Sequence, residues 1–113
     1  MSISLPLPEN KKLAVTYRVE PGCLGPQGAS FIEGFCQFAE QQVKNLDADF
    51  IRWDIIPRHD KTLNEMAYSV SEKKLTQKQA DQYLQIFGKT LEEFEDHIQD
   101  ECVVLINQYM AQH

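Results

Sequence analysis

Cys23 stands in a Gly/Pro loop, Pro-Gly-Cys-Leu-Gly-Pro-Gln-Gly-Ala at residues 21–29, that leads into a helical segment. A thiol close to a helix N-terminus can have a lowered pKa and become a nucleophile. A thiol enzyme also needs a base within reach. The best-placed residue type for that base is His59, in a later loop, so Cys23 and His59 form the candidate catalytic pair. The competing reading is structural, because a free cysteine ordinarily behaves as a small apolar side chain. Cys36 and Cys102 fall on or beside helical apolar stripes and read as core.

The same loop carries Gly22, Gly25 and Gly28, with Ser30 just beyond. Free backbone N–H groups at a helix start attract anions, and glycine lets a ligand approach closely. These four residues are therefore candidate ligand contacts. The spacing Gly-x-x-Gly-x-x-Gly matches neither the dinucleotide fingerprint nor the Walker pattern, and no lysine follows to hold a phosphate. Turn chemistry alone accounts for glycine and proline here.

Two arginines offer a second place for an anion. Arg18 and Arg52 alternate onto the polar side of two strands, together with Thr16, Asp54 and Ser69. A guanidinium can grip a carboxylate or phosphate through two parallel hydrogen bonds. The alternative is a solvated sheet face with an Arg–Asp pair of little energetic consequence. His59, His97 and His113 stand far apart and form no His-x-x-x-His pair, so no metal site is expected, and no cofactor motif is present.

Charge narrows the partners. The net charge is −6, and residues 1–89 hold all 11 Lys and Arg against 11 of the 17 acids. The whole deficit lies in residues 90–113, which carry Glu92, Glu93, Glu95, Asp96, Asp100 and Glu101 and no Lys or Arg. Nucleic acid binding draws on basic groups that displace counterions from phosphate, so it is disfavoured. No run of about 20 apolar residues could span a membrane. The first ten residues lack a basic region followed by an apolar block, as a secretory signal would show. Three cysteines without a Cys-x-x-Cys pair argue against a disulfide framework. A cytoplasmic protein is the expectation.

The elements that must position these residues are legible from periodicity. Residues 1–11, with Pro6 and Pro8, read as a tether, and residues 12–113 as one domain. Residues 12–20 alternate Leu13, Val15, Tyr17 and Val19 against polar neighbours, which marks a strand with one buried face. A helix then carries Phe31, Ile32, Phe35, Phe38, Ala39 and Val43 as its stripe, with Ser30 and Glu33 as a capping box. Residues 49–57 form a second strand, in which Trp53 should point into the core. A third strand near 65–71 is read as its hairpin partner. Two helices finish the chain, opened by the pairs Thr76–Gln79 and Thr90–Glu93.

The expected fold is α+β in the order β-α-β-β-α-α. A right-handed crossover makes strands 1 and 2 parallel. Placing strand 3 between them gives a three-stranded sheet of order 1-3-2, packed by three helices. This is an architectural analogy to the first three strands of a ferredoxin-like sheet, and such an analogy carries no function.

The acids at the start of the last helix are explained by its dipole. Its C-terminal half has more apolar residues than one buried stripe needs: Val103, Ile106 and Met110 lie partly outside it. A surplus apolar face signals a contact. The expectation is a non-catalytic protein-interaction or regulatory module that self-associates as a homodimer. These three residues form the candidate interface, and the open edge of strand 1 is a second one. The alternative is a small-molecule or anion-binding protein, or a thiol enzyme, built on the 21–30 loop.

Overall fold

A computed structural model describes residues 5–112. It is α+β, with three α-helices and a four-stranded mixed sheet. The elements are β1 (Leu13–Val19), α1 (Gly28–Val43), β2 (Ile51–Pro57), β3 (Met66–Val70), β4 (Lys73–Leu75), α2 (Gln77–Ile86) and α3 (Leu91–Ala111). Short 3-10 helices occupy Glu9–Lys11 and Pro21–Leu24.

The sheet order is β2-β1-β3-β4, so β1 is central and not an edge. This corrects the order 1-3-2 and the count of three strands. β1 runs parallel to β2, with Leu13 opposite Ile51 and Val19 opposite Pro57. β3 runs antiparallel to β1, with Val15 opposite Tyr68. The segment 58–65 is therefore not a hairpin loop. The chain leaves β2 with the Arg58 N–H still bonded to the Val19 carbonyl, crosses the end of β1, and returns with the Arg18 N–H bonded to the Glu65 carbonyl. A long connection permits this passage. β1 gains by it, because a strand whose alternate residues are all fully buried belongs in the middle of a sheet.

All the deeply buried sheet residues share one face: Leu13, Val15, Tyr17 and Val19 on β1, Ile51, Trp53 and Ile55 on β2, and Tyr68 on β3. The helices cover that face, contributing Ile32, Phe35 and Ala39 from α1, Leu84 from α2, and Phe94, Ile98 and Leu105 from α3. Trp53 is buried as its alternation predicts. Its ring stacks on Phe94 at 5.4 Å, and its indole N–H donates to the Leu46 carbonyl at 2.8 Å. The opposite face is open. The register sets Arg52 beside Ala14, Ser69 and Lys74 in one row, and Asp54 beside Thr16 and Ala67 in the next.

The outer edge of β2 is partly blunted. Leu13 donates to the Phe50 carbonyl and Arg58 to Val19, so the even-numbered residues of β2 face β1 and the odd-numbered ones face outward. Of those, Ile51 donates to the Asp47 carbonyl and Ile55 to the Glu40 carboxylate, while Pro57 has no N–H. A proline and capped donors are common ways to blunt an edge.

Of the three expected capping boxes one forms in full, one in half, and one does not form. Thr76 and Gln79 form a reciprocal capping box, and the Thr90 hydroxyl accepts from the Glu93 N–H. The Ser30–Glu33 box is absent, because α1 starts three residues earlier with Gln27 as its unbonded cap. The reason lies at Gly28. It packs so closely on the Pro21–Leu24 turn that a Cβ there would fall on the Pro21 carbonyl oxygen. The helix can thus begin against the turn itself, with Ser30 already inside it. Of the expected tether, residues 7–11 are bonded to the domain: Leu7 donates to Asp49, Asn10 accepts from Ser71, and Lys11 accepts from Tyr83. Residues 1–4 lie outside the described residues.

Candidate functional site

The sequence places Cys23 in the 21–29 loop ahead of the helix, and the structure sets it in the Pro21–Leu24 turn with its side chain exposed. It lines a groove of about 190 Å³ between that turn, the end of β1 and α3. The groove wall includes Tyr17, Glu65, Cys102, Val103 and Ile106. Burial raises the pKa of both Cys102 and Tyr17, so each is held in its neutral form. His59 is exposed in the 58–65 segment and is not part of this groove. The nearest long-range link from that segment is made by its neighbour Arg58, which pairs with Glu20 at 2.9 Å. The groove thus brings Cys23 together with a second thiol and a phenol, both neutral, with the carboxylates Glu20 and Glu65, and with Arg18. None of these is the imidazole that the thiol-enzyme reading requires.

The glycine loop turns its donors inward. Cys23 donates to Glu20, Gly25 to Gly22, Gly28 to Gly25 and Ser30 to Gln27. Tight turns therefore account for these N–H groups. Gly22 and Gly25 are exposed, and Gly28 is buried against the turn.

Arg18 and Arg52 share the open sheet face but stand four register positions apart, since Arg52 lies beside Ala14 and Arg18 beside Ile56. At about 3.3 Å per residue that is roughly 13 Å along the strands, too far for a single carboxylate or phosphate to bridge. Arg18 instead donates to the Asn64 carbonyl at 2.6 Å. Sequence reasoning missed Lys74, which the short strand β4 sets on the same face as Arg18. The signal was hidden because β4 has three residues and follows a turn without glycine.

Val103, Ile106 and Met110 share one stripe of α3, as their spacing requires. Val103 is 59% exposed, and Ile106 and Met110 are half-buried against the core. The stripe runs along the Cys23 groove and continues into a shallow depression formed by Leu24, Pro26, Phe31 and Met110. Its N-terminal continuation is polar, with Gln99, Glu95 and Glu92. Val104, 48% exposed, lies on the other flank of the helix.

Among the described residues no group of three or more His, Cys, Asp or Glu could hold a metal ion, and no helix is long and apolar enough to cross a membrane. His97 is exposed on α3, and His113 lies outside the described residues. No family model, curated protein or solved structure matches the chain.

Proposed function

We propose that this chain is a small, non-catalytic protein-interaction module that self-associates through the C-terminal half of α3. The observation that carries the reading is the stripe Val103–Ile106–Met110, which is apolar, partly exposed and continuous with the apolar depression around Pro26 and Phe31. Exposed apolar surface of this kind is the usual mark of a contact. The route through an open edge of strand 1 loses its support, because β1 lies inside the sheet.

A twofold contact is geometrically simple here. Crossing two copies of α3 about Ile106 sets Val103 of each against Met110 of the other, so one patch serves both sides. The acidic half of each helix then diverges from the axis, and Glu92 and Glu95 do not meet their counterparts. This reading also fits the acid-only composition of residues 90–113, which favours a crossing at the apolar end over pairing along the whole helix.

Sedimentation at micromolar concentration tests it. The unmodified protein is expected to sediment as a dimer. Val103→Lys, at the most exposed position of the stripe, is expected to give a monomer with unchanged helix content. A monomeric unmodified protein, or a dimer indifferent to Val103→Lys, overturns the reading.

A further inference from the structure

The groove between the Pro21–Leu24 turn and α3 holds two of the three cysteines, far apart in the sequence. Cys23 is exposed on the turn, and Cys102 lies on the α3 wall, 9% exposed. Cα atoms of the turn and of α3 come within 8 Å of each other. Burial is the main cause of the raised Cys102 pKa, and an ionised Cys23 adds to it, so the two sulfurs are within electrostatic reach. Cys36 is placed differently. It is 3% exposed on α1 and lines no part of the groove.

A disulfide holds its Cα atoms about 4.4–6.8 Å apart. The turn has the freedom to settle into that range. Gly22 precedes Cys23 in open space, and Gly25 ends the turn at φ 90° with nothing close to it. Backbone rotation on either side of Cys23 therefore meets no Cβ. The two thiols also differ in access. A small oxidant reaches Cys23 from solvent, whereas Cys102 forms part of the wall behind it. Exposure is what makes one thiol the first to be oxidised, and a second thiol beside it is what resolves the product.

We propose that Cys23 and Cys102 form a two-electron redox site, with hydrogen peroxide as the oxidant and an intrachain disulfide as the product. The ionised Cys23 sulfur attacks one peroxide oxygen. An S–O bond forms, the O–O bond breaks, and the leaving oxygen takes up a proton and departs as water. Cys23 is then a sulfenic acid. The Cys102 sulfur next attacks the Cys23 sulfur. The S–S bond forms as the S–O bond breaks, and the departing hydroxide carries off the Cys102 proton as water. The two sulfurs together supply the two electrons that reduce the peroxide. Oxidation ties the turn after β1 to α3 and removes both thiols from the groove. Both sulfurs belong to one chain, so the proposal stands independently of self-association.

Thiol mapping of the full chain after exposure to hydrogen peroxide at mildly alkaline pH tests this. Remaining thiols are blocked with N-ethylmaleimide before digestion. Cleavage after glutamate separates the cysteines, because Glu33 lies between Cys23 and Cys36, and Glu101 precedes Cys102. The expected product is a Cys23–Cys102 disulfide within one chain, with Cys36 alkylated, and dithiothreitol reverses it. In urea the shorter loop favours Cys23–Cys36, so the long-range bond reports the fold. Cys36→Ala is expected to form the bond as the parent does, and Cys23→Ser to leave Cys102 alkylated. In Cys102→Ala, the Cys23 sulfenic acid has no resolving thiol and is expected to accumulate as a dimedone adduct that the parent does not show. Cys23 is exposed, so its variant keeps the test available if Cys102→Ala does not fold. A folded parent that yields Cys23–Cys36, Cys36–Cys102 or an interchain disulfide overturns the proposal. So does one that keeps all its thiols under peroxide that oxidises the urea-unfolded chain, or that captures dimedone as readily as Cys102→Ala.

Discussion

The Tyr109 hydroxyl of α3 occupies the space in which a side chain on Gly34 of α1 would begin. The tyrosine cannot easily withdraw. Its ring meets Phe35 edge-on at 5.7 Å and Phe38 at 5.5 Å, both on α1. Gly34 therefore sets how closely α1 and α3 approach. Alanine at an ordinary helix position gains about 1 kcal/mol over glycine. Here it forces overpacking, which costs roughly 1–3 kcal/mol. Gly34→Ala is expected to destabilise the protein in a denaturant titration, and Tyr109→Phe in that background is expected to return part of the loss. A Gly34→Ala variant more stable than the parent would refute the account.

Trp53 ties β2 to two other parts of the core. It stacks on Phe94 of α3 and donates to the Leu46 carbonyl in the α1–β2 connection. Trp53→Ala is expected to cost about 3–5 kcal/mol, a large share of the stability of a domain this size. Trp53→Phe keeps most of the stacking and loses the indole donor, so its loss should be smaller. Equilibrium unfolding by urea measures both. A loss below about 1 kcal/mol for the alanine variant would be inconsistent with a buried ring.

Local patterns announced most of the elements, whereas long-range pairing did not show. Leu13-Val15-Tyr17-Val19 and Ile51-Trp53-Ile55 alternate because one face of the sheet is covered, so the sequence reveals each strand and its inward face. Nothing in that alternation distinguishes β1 flanked by β2 and β3 from β1 at an edge. The difference lies in where segment 58–65 crosses, and its residues carry no periodic signal. The candidate sites fared similarly. The α3 stripe was legible because helical spacing fixes which residues share a flank. The place of Lys74 was not, because only the pairing of β3 with both β1 and β4 sets it in the row of Ala14 and Arg52 on the open face. Arg52, the partner that alternation suggested for Arg18, shares its face but lies too far along it.

Burial gives the core a dependence on alkaline pH. Cys36, buried between α1 and the sheet, has its thiol pKa pushed up from 9.0 to about 12, chiefly by desolvation and secondarily by Cys102 and nearby glutamates. The pKa values of Tyr17 and Tyr68 are raised mainly by burial as well, with the Glu95 carboxylate adding to the shift of Tyr68, whose hydroxyl donates to it at 2.7 Å. A group with a raised folded-state pKa is protonated in both states below its unfolded value, and its contribution is intact there. As pH rises past that value, the unfolded chain loses the proton first and stability falls. For Cys36 the window runs from 9.0 to about 12. The slope approaches about 1.4 kcal/mol per pH unit for each proton so linked. Urea midpoints measured across that window should fall with pH, and more gradually in Cys36→Ala. An identical slope in the variant would assign the alkaline loss to the tyrosines instead.

The turn joining β3 and β4 offers the most direct stabilising change. Val70 lies opposite Lys73, so Ser71 and Glu72 form a two-residue hairpin loop, and both have positive φ, 53° and 67°. Two-residue hairpins favour this mirror-image turn because its twist matches that of the strands, and Asn-Gly adopts it with least strain. A glutamate in the left-handed region carries a penalty of about 1 kcal/mol that glycine avoids. The Ser71 hydroxyl offsets part of the strain by donating to the Asn10 carbonyl at 2.6 Å, a bond that also holds the N-terminal segment. Replacing both residues would lose that bond, so Glu72→Gly alone is the cleaner test. It is expected to raise stability by about 0.5–1 kcal/mol, net of the extra chain entropy that glycine brings to the unfolded state. Ser71→Ala is expected to lower stability and to speed amide exchange in residues 7–11, because it removes the side-chain bond to Asn10 without relieving the turn. A Glu72→Gly protein less stable than the parent would mean that the turn is not held in the left-handed conformation.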